Sequence, residues 1–205
     1  FQTYWAHYGE MIYVMALLLG EQPLPGLINF SAGLVLALQT FFVAKRLTNR
    51  GTGLIAVLVL YSLPIIGIES ATTYIDIFIA VFVTAALHSA LLWEHSSRKT
   101  WLLLTGIFSG LAVGAKLTAF WLLLPFWGLI LWRLYHLRKL SWMNLAAVVA
   151  PVILLWSPWL VRDGFWTGNP LFPNLNSIFQ SPEWFDRNFF IFQPTRNTLR
   201  SIVLF

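Results

Sequence analysis

From Ile77 to Trp93 the chain runs seventeen residues without a charge. That is close to the roughly 20 residues a straight membrane-spanning helix needs. Inside a bilayer no water satisfies a backbone N–H or C=O, so only helices and closed barrels can cross it. The pattern recurs. Apolar stretches read as spans at Leu27–Ala44, Leu54–Ile68, Ile75–Trp93, Trp101–Ala115, Leu117–Trp132 and Trp142–Leu160. Leu54–Ile68 and Trp101–Ala115 are short for a full crossing. They either extend into their flanks or stop part-way beside a cavity. Composition agrees with a bundle in lipid. Residues are 58% hydrophobic and 10% charged, where a soluble domain carries about 25% charged residues, and the mean hydropathy is +0.72. The expected fold class is all-α: a polytopic transmembrane helical bundle of about six spans, with an outer interfacial helix and an outer aromatic-rich loop.

The segments between the spans are informative in their own right. Many of the 11 Trp, 6 Tyr and 17 Phe lie near the ends of apolar runs, as an aromatic belt at the membrane interface requires. The absence of cysteine excludes a disulfide framework, a thiolate metal site and a cysteine nucleophile. A net charge of +5 is explained by basic residues gathered in short loops, so no nucleic-acid partner is expected. With residues 1–26 outside, the inner loops hold Lys45, Arg46, Arg50, Arg98, Lys99, Arg133, Arg138 and Lys139. Lys116, Arg162, Arg187, Arg196 and Arg200 fall outside, as do all the acids except Glu94. This excess of basic residues in the inner loops sets the orientation. Residues 1–26 form an interfacial helix and loop, 27–162 the bundle, and 163–205 an outer loop leading toward a further span. Tyr4–Gly20 reads as an amphipathic helix, ended by the prolines of Gly20-Glu-Gln-Pro-Leu-Pro-Gly26. The opening on Phe1 and the apolar close at Ser201–Phe205 read as those of an internal piece of a longer protein, or of a chain lacking both its ends.

Asp76 is the leading chemical candidate. It ends the polar break Glu69-Ser-Ala-Thr-Thr-Tyr-Ile-Asp76, at the lip of a span. A carboxylate there is costly to desolvate and tends to serve a function, as a general base or a metal ligand facing a wet cleft. The plainer reading is an acid resting on the positive end of a helix dipole. Glu69 flanks the same loop. His7 and Glu10 lie three apart, on one face of the interfacial helix. Two ligands do not make a metal site, and a solvated polar face is the simpler account. Gly106, Gly110 and Gly114 line one helix face and permit close packing. Lys116 follows at the mouth of a hairpin, where a lysine either neutralises a phosphate or snorkels to the interface. Arg162, leaving the last span, either clamps a phosphate or pairs with Asp163 as an anchor. His88 is mid-span, a position open to an axial haem or chlorophyll ligand or to a helix–helix hydrogen bond. His95 and His136 read as solvated loop residues.

Taken together, these segments resemble the C-type integral-membrane glycosyltransferases, closest to the family of protein O-mannosyltransferases and the aminoarabinose transferase of lipid A. His7-Tyr-Gly-Glu-Met-Ile-Tyr looks like the helix after the family's first outer loop. Ser70-Ala-Thr-Thr-Tyr-Ile-Asp76 looks like the acid opening a later span, and Gly110-Leu-Ala-Val-Gly-Ala-Lys116 like the glycine-rich span followed by lysine. The stretch from Trp159 to Pro173, with Thr-Gly-Asn-Pro, is similar to many bacterial members. The resemblance implies transfer of a sugar from a polyprenyl-phosphate donor on the outer face of a bacterial inner membrane. Asp76 and Glu10 would be the catalytic carboxylates, and His7, Glu69, Lys116 and Arg162 would bind substrate. No metal ligands are assigned, although a divalent cation cofactor remains open. The family's principal carboxylate, in a first outer loop after a first span, has no counterpart between Phe1 and Phe205, so Asp76 takes the second acidic position. Activity then depends on a longer chain supplying that loop. The alternative is a non-catalytic, pigment- or lipid-binding subunit of a larger membrane complex, with haem or chlorophyll at His88. A transporter is disfavoured, because the acids cluster at one face.

Overall fold

The computed structural model describes residues 8–20, 23–172 and 174–181. Among them every regular element is helical: α1 Tyr8–Leu19, α2 Pro23–Leu47, α3 Arg50–Ser62, α4 Pro64–Ala71, α5 Asp76–Ser96, α6 Lys99–Ala115, α7 Thr118–His136, α8 Trp142–Thr167 and the single turn α9 Asn176–Phe179. Four of these, α2, α5, α7 and α8, are long and apolar enough to cross a membrane, and α3 with α4 makes a fifth if the bent pair is one span. The chain is therefore a multi-pass membrane protein by the length and composition of its helices. The described residues fall into two compact units, one up to residue 157 and one from residue 158.

Both stretches that looked short in the sequence depart from a simple span, for different reasons. Leu54–Ile68 is broken. α3 ends at Ser62, Leu63 sits in an extended conformation (φ −80°, ψ 114°), and Pro64 opens α4. A residue before proline is pushed out of the helical region, and proline is welcome at a helix start but not inside one. The two axes meet at 73°. Trp101–Ala115 remains one helix, α6, of only 17 residues. It is nevertheless the central element of its unit, burying Leu102, Thr105, Gly106, Ser109, Gly110 and the whole run Ala112–Ala115.

α6 can be central because of its glycines. A Cβ on Gly106 would lie 2.9 Å from the Ala147 carbonyl oxygen, and one on Gly110 would lie 3.0 Å from that of Pro151. Both carbonyls belong to α8, so the two backbones touch where the sequence has no side chain. Gly114 is buried on α6 as well.

Around α6 the apolar residues pack in three groups stacked along α5. Ile77 and Phe78 meet Tyr13, Ala32 and Leu36 from α1 and α2. Ile79 meets Ala112, Val113, Ala119 and Leu123 from α6 and α7. Trp93 meets Leu102, Ile130, Leu134 and Val148. The outer surfaces of the long helices carry exposed Leu27, Leu34, Leu38, Leu54, Leu58, Leu122, Leu129, Ile153 and Leu154, as lipid-facing helices do.

The proline-rich segment after α1 ends that helix as expected, but Pro23 and Pro25 also start the next one, four residues before Leu27. α1 is amphipathic in an inverted sense. It buries Gly9, Tyr13 and Ala16 and exposes Met11, Val14, Met15, Leu17, Leu18 and Leu19. Its exposed face suits hydrocarbon rather than water. His95 and His136 are exposed in the last turns of α5 and α7 rather than in loops, and His136 stacks on Trp132 at 5.3 Å.

In the second unit α8 runs to Thr167, past the expected end at Leu160. It stops at Gly168, whose φ of +69° is the left-handed turn that glycine permits at a helix end. The Asn169 side chain then accepts from the Leu171 N–H at 2.9 Å and donates to the Asn174 carbonyl at 2.8 Å. Much of the expected aromatic loop lies outside the described residues.

Packing at Gly106 predicts a clear contrast. Gly106→Leu should lower the thermal stability of the detergent-solubilised protein by about 1–3 kcal/mol or more, as overpacking does. Gly128→Leu on α7, where a Cβ meets nothing within 4 Å, should change it little. Matched melting curves of the two variants check this.

Candidate functional site

Asp76 is the first residue of α5. The helix is capped by Ile75, without a side-chain cap bond. The carboxylate therefore enjoys the positive helix end without spending its oxygens on it. Instead Oδ1 accepts from Lys116 Nζ at 2.8 Å. Lys116 is the C-cap of α6, in extended backbone, where the chain turns into α7. The structure thus joins two residues that stand forty positions apart in the sequence. Both side chains remain reachable from outside, at 49% exposure for Asp76 and 28% for Lys116. The pair is positioned by rigid elements yet open to exchange.

Glu10 and Glu69 belong to the same region, and the link is Tyr13. The Tyr13 hydroxyl donates to Asn29 Oδ1 at 2.7 Å and lies 3.1 Å from the Tyr74 carbonyl oxygen. Its pKa is pushed up to about 12, first by burial and then by the negative charges of Glu10, Glu69 and Asp76. Three carboxylates therefore bear on one phenol. Glu10 is half-buried in the first turn of α1. Glu69 is half-buried on α4, and its Oε2 is buried without a hydrogen-bond partner among the described residues. A buried carboxylate oxygen that lacks a donor is unusual enough to mark a site. At this end of the unit the described residues set Glu10, Glu69 and Asp76 against the single cation Lys116.

Asn29 holds this arrangement. It is fully buried in α2, and its amide nitrogen donates to the carbonyls of Glu69 and Thr72 at the end of α4. Those carbonyls have no helical partner of their own, because α4 ends there. Tyr13 and Asn29 escaped the sequence reading. A lone Asn inside the apolar run Leu27–Phe30 was the available signal, since a polar side chain within a span is retained for a contact.

The remaining candidates are placed differently. Arg162, in the second unit, meets its chain neighbours: Nη2 lies 2.7 Å and Nε 2.9 Å from Asp163 Oδ1, and the guanidinium covers the Trp159 ring at 4.9 Å. Asp163 is only 5% exposed, and the next turn is tied by Thr167 Oγ1 donating to its carbonyl at 2.7 Å. The Arg162–Asp163 pair named by the anchor alternative is thus present. His7 lies outside the described residues. His88 stacks on Phe42 at 6.4 Å, a helix–helix contact between α5 and α2. Among the described residues no three His, Asp or Glu side chains gather as a metal-binding group.

At the far end of α5 the balance of charge reverses. Glu94 is paired with Arg133 of α7, and Lys139 Nζ reaches Ser97 Oγ. Lys45, Arg46, Arg98 and Lys99 lie at the neighbouring helix ends. The polar ends of the first unit thus differ in sign.

Two outcomes follow. Between pH 10 and 12 an unfolded tyrosine has released its proton while Tyr13 retains it, so the folded state binds more protons and stability falls as pH rises through that window. Tyr13→Phe should flatten that alkaline slope in unfolding titrations. The Asp76–Lys116 pair, being partly exposed, should show a coupling of no more than about 1 kcal/mol in a double-mutant cycle with Asp76→Asn and Lys116→Gln. A coupling this small would leave the pair free to open.

No curated protein and no solved structure matches the chain. A family model described as a domain of unknown function, DUF8201, matches residues 21–187. That range contains Asn29, Glu69, Asp76 and Lys116 and covers most of the sequence, and the chain belongs to the DUF8201 family.

Proposed function

We propose that this protein is a membrane transferase that moves a sugar from a polyprenyl-phosphate donor to a hydroxyl acceptor, with its site at the Asp76 end of a six-span bundle. The observation that carries this reading is the Asp76–Lys116 ion pair at 2.8 Å, partly exposed and flanked by Glu10 and Glu69. The resemblance of the segments around His7, Asp76 and Lys116 to C-type glycosyltransferases supports it as well. The excess of cations at the opposite end of α5 favours an exoplasmic orientation for Asp76.

The chemistry needs one base and one cation. The donor phosphate competes with Asp76 for the Lys116 ammonium. As the ammonium turns to the phosphate, the carboxylate is released to accept the acceptor's hydroxyl proton. The acceptor oxygen bonds to the anomeric carbon while the carbon–oxygen bond to the phosphate breaks. The bonding pair leaves with the polyprenyl phosphate, and Lys116 stabilises its charge. Glu69 and Glu10 add negative potential that favours a cation-like sugar in the transition state. Sharing one lysine between base and leaving group links donor binding to activation of the base.

The test is transfer from a polyprenyl-phosphate sugar by the complete protein in membrane vesicles. Asp76→Asn should lower kcat by about a hundred- to ten-thousand-fold, the range for loss of a general base. Lys116→Gln should raise KM for the donor as well, and Lys116→Arg should restore part of that affinity. Wild-type turnover by Asp76→Asn would remove Asp76 from the mechanism and this reading with it.

A further inference from the structure

The basic end of the first unit contains a groove that the proposed reaction does not use. Where the C-terminal turns of α2 and α5 meet, a cavity of about 460 Å³ is lined by Arg46, Leu47, Leu91, Glu94 and His95. A second cavity of about 360 Å³, between α5 and α7, shares Leu91 and Glu94 with it and continues along Leu87, Phe126 and Leu129. Glu94 stands between the two and is paired with Arg133. Its charge is thereby offset, and Arg46 makes no ion pair among the described residues. The combined groove is apolar along the helices and cationic at their ends.

Its depth in the bilayer is marked independently. Trp132, Tyr135 and Trp142 are 51%, 72% and 80% exposed at the same end of α7 and α8. Exposed aromatics of this kind sit at headgroup level. Arg133 stacks over Trp132, 5.4 Å from the ring centroid, in that layer. The cationic mouth therefore lies at the same helix ends as these aromatics, and the apolar part runs away from it along α5 and α7.

We propose that this groove is a binding site for one anionic phospholipid. Arg46 contacts the headgroup phosphate, and an acyl chain lies along Leu87, Leu91 and Leu129. A zwitterionic lipid presents the same chains but adds a choline cation beside Arg46 and Arg133, and is disfavoured by charge. A basic juxtamembrane residue contributes about 1 kcal/mol toward an anionic headgroup, or roughly fivefold in affinity. Because this site lies at the opposite end of α5 from Asp76, its outcome is independent of the transferase reading.

The experiment is lipid titration of the detergent-purified complete protein, read by native mass spectrometry and by thermal stabilisation. The lipids are phosphatidylglycerol and phosphatidylcholine with identical chains. Phosphatidylglycerol should bind saturably and several-fold more tightly. Arg46→Gln should weaken it about fivefold, while Arg98→Gln, which removes the same charge at the same end but does not line the groove, should leave it nearly unchanged. Equal losses in the two variants would mean diffuse surface attraction and would overturn the site. So would equal binding of the two lipids, or competition by inorganic phosphate at the lipid's own concentration. Should Arg46→Gln fold poorly, Leu91→Trp, which fills the groove without changing charge, provides the second arm and should also abolish the preference.

Discussion

The amide of Asn29 is the contact on which the carboxylate-rich end of the structure depends. α4 stops after two turns, and its last carbonyls point into a region where water is scarce. An unpartnered carbonyl there costs about 1–3 kcal/mol. Asn29 donates to two of them, those of Glu69 and Thr72, and its own oxygen receives the Tyr13 hydroxyl. One buried side chain on α2 thus fixes the end of α4 and the face of α1. With those in place, Glu10 and Glu69 are held near the start of α5 by backbone geometry rather than by side-chain choice. The acids are preorganised by a neutral residue.

Opposite charge balances at the two ends of α5 give the unit a direction. Helix C-termini at the basic end favour cations, and the N-terminus of α5 favours Asp76. The local dipoles and the distribution of ionisable residues reinforce one another, so both ends are electrostatically consistent with the helices that carry them. Lys116 is the exception, a cation among acids at the C-cap of α6, where the dipole also welcomes it. Its partner across the gap is Asp76, at 2.8 Å.

Much of the helical layout was legible because uncharged runs of this length have few alternatives. Asp76 opens its helix, α8 follows Trp142, and the glycines of α6 pack as their four-residue spacing required. The break at Leu63 was harder to see: Leu54–Ile68 is apolar throughout, and a single Pro64 decides whether it is one helix or two. α6 shows the converse, a short segment that is buried in the middle of its unit because tertiary packing outweighs length. Asp76, Lys116, Glu10 and Glu69 were each visible as ionisable residues near span ends, but the Asp76–Lys116 contact depends on the turn after α6, which periodicity does not encode. Tyr13 and Asn29 were concealed by ordinary neighbours in apolar runs. Arg162 reads equally well in the sequence as a phosphate clamp or an anchor, and its contacts with Asp163 and Trp159 come from the turn of the helix that carries them.

The shortness of α6 is sheltered inside its unit, whereas that of the bent α3–α4 pair is not. Seventeen residues rise about 25 Å at 1.5 Å each, less than the roughly 30 Å of hydrocarbon in a typical bilayer. The α3–α4 pair, folded over at 73°, also reaches less far than a straight helix of its length. The exposed apolar residues Leu54, Ile55, Leu58, Val59, Ile65 and Ile68 lie on this shortened pair, and a reach shorter than the hydrocarbon thickness is a hydrophobic mismatch that thinning relieves at a cost of a fraction of a kcal/mol per ångström.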